Sequence, residues 1–162
     1  MTRLENGQFD EEKMLEMIME RYQKAISNPL SLSQNIYEQA WEIVWRAKKK
    51  AQEIGIDVVI TLVDKSAQVV MTYRMQDALL VSNDMAYKKA YTAVAMKMQS
   101  KDLAPLTQPG QWLYQLETMT DNKIVSLPGG IPVFAGDKLV GAIGISGGNA
   151  EQDQIIAESA LL

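Results

Sequence analysis

The stretch that most restricts the fold lies near the end of the chain, GGIPVFAGDKLVGAIGISGGNAEQD at residues 129–153. Residues 131–135 read as a short strand. Gly136-Asp137 is a two-residue hairpin turn, with glycine first as a type II′ turn requires. Residues 138–146 are the return strand, and Gly147-Gly148 breaks it. Asn149 then starts a helix, and Gln152 three residues on completes a capping box. In the return strand Leu139, Ile143 and Ile145 share a face with Gly141. Val140, Ala142, Gly144 and Ser146 take the other face, and most of these are small. Glycine inside a strand weakens it unless something must approach the backbone closely. A packed helix and a ligand are the two candidates.

The rest of the chain supplies partners for this hairpin. Residues 58–63 form a continuous apolar run, the pattern of a central strand buried on both faces. Residues 64–67 turn it back. In the strand that follows, Val69, Met71, Tyr73 and Met75 alternate with Val70, Thr72 and Arg74. A helix is expected over residues 31–54, with Ser31 and Gln34 as a capping box and Gly55 just past its end. Ile36, Ala40, Ile43, Val44, Ala47, Ala51 and Ile54 form its core stripe, and Tyr37, Trp41 and Trp45 a second, aromatic one. Ser82 is read as the cap of a helix reaching Met98. Residues 103–127 hold Pro105, Pro109 and Gly110 and read as irregular, with a short helical piece near residues 112–116. A last helix covers residues 150–162.

Hairpins separated by helices argue for an antiparallel sheet with helices packed on it. Ahead of this domain, residues 9–26 have amphipathic spacing, with Met14, Leu15, Ile18, Tyr22, Ala25 and Ile26 on one face. Ser27-Asn28-Pro29 breaks the pattern. The expected organisation is an appendage at 1–28 and a domain at 29–162.

Composition narrows the chemistry. Among 162 residues there is no histidine and no cysteine. Histidine triads, histidine general bases, His-zinc sites and thiol catalysis are therefore excluded. The net charge of −4 lacks a basic block, so nucleic-acid binding has no electrostatic support. No apolar run reaches the length of a membrane span. The acidic first residues do not resemble a secretory or mitochondrial signal, so the cytoplasm is the expected compartment.

Three segments together resemble the GlcG/HbpS-like family. They are the 129–153 unit, ITLVDKSAQVVMTYRMQDA at 60–78, which matches a VVD-turn-strand-RMDGA hairpin, and SNDMAYKKAYTA at 82–93, which matches an S-x3-A-x2-KAYTA helix. The likeness runs from about Leu30 to the C-terminus. That family includes haem-binding proteins, the glycolate-operon protein G and the C-terminal domain of PduO-type corrinoid adenosyltransferases. The resemblance implies a profilin-like α/β (α+β) fold of about five antiparallel strands, assembled as a homo-oligomer. It also implies a pocket for haem, a corrinoid or a related tetrapyrrole. With no histidine, haem would be held by Met, Tyr or Lys, or by pocket contacts without strong ligation.

The expected ligand-binding residues are Arg74, Met75, Lys89, Gly129, Gly130, Gly147 and Gly148. Arg74 can clamp a carboxylate or pair with Asp77 or Asp64. Lys89 stands at the KAYTA position, where the resemblance implies a buried or pocket-edge cation; the alternative for it and Lys88 is a solvated helix face. The glycine pairs offer backbone N–H groups to a small anionic ligand, or are simple turn geometry. Asp64 is expected to bond its own turn, and Glu151 and Asp153 to favour a helix N-terminus. The Tyr37-Trp41-Trp45 stripe can stack on a planar macrocycle or form a helix or subunit contact.

Three functions compete. The first is a non-enzymatic ligand-binding accessory protein. The second is a structural or cargo oligomer whose residues 9–26 mediate either assembly of the oligomer or targeting, through contact with a bacterial microcompartment shell or its cargo. The third is an enzyme of unknown reaction using carboxylate or lysine. No catalytic residue and no metal site is expected.

Overall fold

The computed structural model describes residues 35–162. The expected helix at 9–26, and the Ser31-Gln34 capping box, lie outside these residues. The described elements are α1 (Ile36–Ile54), β1 (Val59–Asp64), β2 (Val69–Arg74) and α2 (Ser82–Met96). A 3₁₀ helix (Ser100–Leu106) and α3 (Leu116–Met119) follow, then β3 (Gly130–Ala135), β4 (Lys138–Ser146) and α4 (Ala150–Ser159).

The sheet has four strands in the order β2-β1-β4-β3, all antiparallel, rather than about five. Only two hairpins feed it, and residues 103–127 contribute no strand. The C-terminal hairpin forms as its residues dictate: Gly136 turns at φ 61° and joins the two strands. β1 and β4 are central. Every residue of β1 except Asp64 is buried, the signature of a strand covered on both faces.

Helices cover the sheet on both sides. A Cβ at Gly144 would run into the Ala86 carbonyl oxygen and lie 2.7 Å from the Ala90 nitrogen, so that face of β4 meets α2. Gly141, of opposite parity, faces Ile36 of α1. α4 lies beside α1 and against β4 and β3. The small residues of β4 therefore meet packed helices. On the α2 side Val63, Ala90, Ala93, Val94 and Ala142 make one core cluster. On the α1 side Ile43, Ile60, Leu62, Ile143 and Ile145 are fully buried. Each such aliphatic side chain contributes roughly 1.5–3 kcal/mol by leaving water.

The helix ends hold two corrections. α1 is capped by Asn35, whose side chain accepts the Tyr37 N–H at 3.1 Å. Ser82 does not cap α2; the cap position is Val81, with no side-chain bond. The Ser82 hydroxyl points instead to the sheet and accepts a bond from the Ser146 hydroxyl at 3.3 Å. The capping box at Asn149 and Gln152 forms as expected, with both of its bonds at 2.9 Å.

Candidate functional site

Most of the residues singled out from sequence gather at one end of the sheet. Lys89 reaches from α2 past the end of β4 and is only 5% exposed in its side chain. Its ammonium donates to an Asp153 carboxylate oxygen at 2.6 Å and to the Ile145 carbonyl at 2.8 Å. Asp153, 4% exposed, sits in the first turn of α4. Its other oxygen accepts the Gly148 N–H at 2.8 Å. Burial pushes the Asp153 carboxyl above the ordinary carboxylate range, opposed by Lys89 and by the Gly148 and Gly147 N–H groups. The anion at the Gly147-Gly148 turn is thus the chain's own carboxylate.

Gly129 and Gly130 lie over the same pair. At Gly129, φ is 109°, and a Cβ would stand 2.7 Å from the Ile145 carbonyl oxygen and 3.4 Å from the Lys89 ammonium. The Gly129 N–H donates to the Gln154 side-chain oxygen at 3.0 Å, and the Gly130 N–H to the Ser100 hydroxyl at 2.9 Å. Close approach of the backbone to α2 and α4 accounts for both glycines.

Arg74 ends β2, two strands away from β4, and Met75 follows it; Val59 of β1 pairs with both Arg74 and Ser146. The Arg74 guanidinium pairs with neither Asp77 nor Asp64. It donates to the carbonyls of Met75 at 3.3 Å, Gln76 at 2.8 Å and Ala78, and so ties the loop that follows its strand. Met75 is buried. Beyond that loop Leu79, Leu80 and Val81 are exposed.

Other side chains find local partners. Asp64 bonds its own turn, accepting N–H groups from Ser66 at 2.8 Å and Gln68 at 3.0 Å. Burial raises its pKa, but these bonds and the Tyr37 hydroxyl at 2.9 Å outweigh burial and lower it. The same bond, first among its causes, raises the Tyr37 phenol. Lys88 pairs with Asp84 at 2.8 Å on α2. Tyr37 and Trp41 are exposed on α1, and Lys48 lies 5.1 Å over the Trp45 ring and 5.2 Å over Tyr73.

An open concavity lies elsewhere. Residues 111–116 and Met119 line a groove of about 350 Å³ in the connection between α2 and β3. Trp112 is 79% exposed, Tyr114 53% and Met119 78%. Sequence patterning passed over these three, because a segment with Pro109 and Gly110 has no periodicity to read. The available signal was two aromatics and a methionine within eight residues of a stretch too polar to be core. Among the described residues no three His, Cys, Asp or Glu side chains gather as a metal site.

The fold and site define a class: a four-stranded antiparallel sheet between helices, closed at one end by a buried Lys-Asp pair under paired glycines. Residues 36–162 match the family described as haem degrading protein HbpS-like, and the chain belongs to that family. It is 38% identical over 167 residues to the corrinoid adenosyltransferase PduO of Citrobacter freundii. That match takes in 99% of this chain and 49% of the relative, so the chain spans about half that relative's length. Among solved structures, the haem complex of PduOC superposes with a TM-score of 0.76 at 40% identity, covering 82% of this chain and 94% of the other. A doubly substituted HbpS of Streptomyces reticuli gives a TM-score of 0.68 at 28% identity, covering 83% and 88%.

Proposed function

We propose that this domain is a tetrapyrrole-binding accessory protein and that the groove at residues 111–116 and Met119 takes a haem. The observation that carries the reading is the exposed set of Trp112, Tyr114 and Met119 around one concavity. An indole offers a flat face to a macrocycle, and a phenol and a thioether are both known iron ligands. The donor set therefore fits an iron porphyrin without histidine. Membership of the HbpS-like family and the likeness to PduOC, solved as a haem complex, support the same ligand class. A corrinoid is the second candidate, supported by the relative's name alone.

Bound haem would supply an iron centre able to exchange electrons or bind small molecules. The chain's own part is to stack on the macrocycle through Trp112 and hold one side of it away from water. Lys89, Gly129, Gly130, Gly147 and Gly148 shape the end of the sheet, and Arg74 and Met75 its neighbouring loop; their proposed part is to keep rigid the fold that carries the groove.

Titration of the full chain with haemin and with cobalamin, followed by absorbance, tests this. The expected result is a saturable Soret shift near one haemin per subunit and none with cobalamin. A folded protein that does not saturate with haemin overturns the reading.

A second role belongs to residues 9–26. Their amphipathic pattern supports assembly into a homo-oligomer, or contact with a microcompartment shell or cargo in the cytoplasm. No helix among the described residues is long and apolar enough to cross a membrane.

A further inference from the structure

We infer that Tyr114 is the iron ligand of this domain. The assignment rests on the haem reading of the groove and adds to it the bond that holds the metal. The chain has no histidine and no cysteine, which leaves tyrosine, methionine and lysine as protein ligands to iron. The groove lining contains no lysine. Lys89, the buried lysine at the sheet end, already holds Asp153 and the Ile145 carbonyl. Two lining residues remain, Tyr114 and Met119.

Charge and hardness decide between them. Ferric iron in a porphyrin keeps one net positive charge, and an anionic phenolate oxygen neutralises it. The neutral, soft thioether of Met119 does not, and soft sulfur ligands suit softer metal ions. Tyr114 is the tyrosine of the groove lining, and its hydroxyl is free to change partner. The Tyr37 hydroxyl, equally exposed, is bonded to Asp64 at 2.9 Å, and the Tyr87 hydroxyl reaches the Ala67 carbonyl at 3.5 Å. Among the described residues no hydrogen bond engages the Tyr114 hydroxyl; its backbone N–H alone is tied, to the Gln111 carbonyl at 3.1 Å. Trp112, two residues before it, is the flat neighbour against which a macrocycle would lie.

The step is a simple exchange. The Tyr114 O–H bond breaks, an Fe–O bond to the phenolate replaces the bond from iron to the water, hydroxide or chloride that haemin carries in solution, and that ligand and the proton leave to solvent. The iron stays ferric, so no oxidant or reductant is needed.

The test loads the full chain with ferric haemin and compares wild type, Tyr114→Phe, Met119→Leu and Tyr37→Phe by absorption, electron paramagnetic resonance and resonance Raman spectroscopy. Wild type is expected to show high-spin ferric haem with a phenolate-to-iron charge-transfer band and phenolate vibrations. Tyr114→Phe loses these signals and binds haemin about tenfold more weakly or worse, a change of roughly 1.4 kcal/mol. Met119→Leu weakens binding without removing the phenolate band, and Tyr37→Phe matches wild type. A wild-type complex that saturates but lacks phenolate signals, or a Tyr114→Phe protein that keeps them, overturns the ligand while haem binding stands. A wild-type protein that never saturates overturns both. Tyr114 is surface-exposed and its ring is retained in Tyr114→Phe, so circular dichroism is expected to match wild type.

Discussion

Lys89 and Asp153 are the residues on which the closed end of the sheet depends. Both are almost wholly removed from solvent, and each leaves an uncompensated charge if the other is lost. Breaking a buried pair from one side costs about 3–5 kcal/mol. Lys89→Met is therefore expected to lose about that much in urea denaturation. Lys89→Met combined with Asp153→Asn recovers part of the loss, because the amide oxygen still accepts the Gly148 N–H. An unchanged midpoint for Lys89→Met would show that the pair contributes nothing. The two aspartates differ in sign with pH. The Asp153 carboxyl is raised by burial, so its contribution is present below the ordinary 3.8 and is lost as pH rises through the higher folded value. The Asp64 carboxyl is lowered, so its contribution is present above the ordinary 3.8 and is lost as pH falls through the lower folded value. Asp64→Asn is expected to be less stable than wild type near neutral pH, with the gap closing as the pH falls below about 3.8. A gap independent of pH would mean that the carboxylate charge is not what holds the turn. Lys89 was legible as a special cation from its motif. Its partner was not, because 64 residues separate them and Asp153 by itself reads as an ordinary first-turn acid.

At the level of elements, α2 meets the backbone of β4 and β3 directly at two glycines. Gly144 meets the backbone of Ala86 and Ala90, and Gly130 meets the carbonyl of Lys89. Gly144→Ala must push backbone against backbone, so α2 has to lift. Overpacking of this kind costs typically 1–3 kcal/mol, and a rigid neighbour places Gly144→Ala near the upper end, about 3 kcal/mol. Thermal unfolding measures it; a loss under about 0.5 kcal/mol would mean that α2 rides loosely. Asn149→Ala removes the cap of α4 and is expected to cost about 1 kcal/mol by the same measurement. The close approach at β4 was anticipated from its glycines. The irregular connection before β3 was not resolved into a groove, because turns without period leave no pattern that says which side chains face outward.

For the whole molecule, exposed apolar side chains recur at Tyr37, Trp41, Val69 and Leu79 to Val81. Exposed apolar surface of this kind marks contact with other chains, and it supports the proposed homo-oligomer. Deleting residues 1–28 separates the two roles proposed for the N-terminal segment. Fewer subunits by native mass, or a lower unfolding midpoint, assigns it to assembly; an unchanged subunit number in a protein that no longer co-localises with a shell assigns it to targeting. Haemin binding through Tyr114 is expected to survive the deletion.

What could be read from residues alone was local. The Gly136-Asp137 turn, the Asn149-Gln152 box, the central position of β1 and the small faces of β4 each follow from neighbours a few positions apart, where φ preference and side-chain parity act directly. The tertiary structure decided the rest. It closed the sheet at four strands, filled the glycine turn with Asp153, turned Arg74 toward its own loop and left Trp112, Tyr114 and Met119 facing solvent. Those outcomes depend on which of many possible long-range partners reaches each polar group first, and burial requires every such group to find one. Spacing along the chain carries no record of that competition.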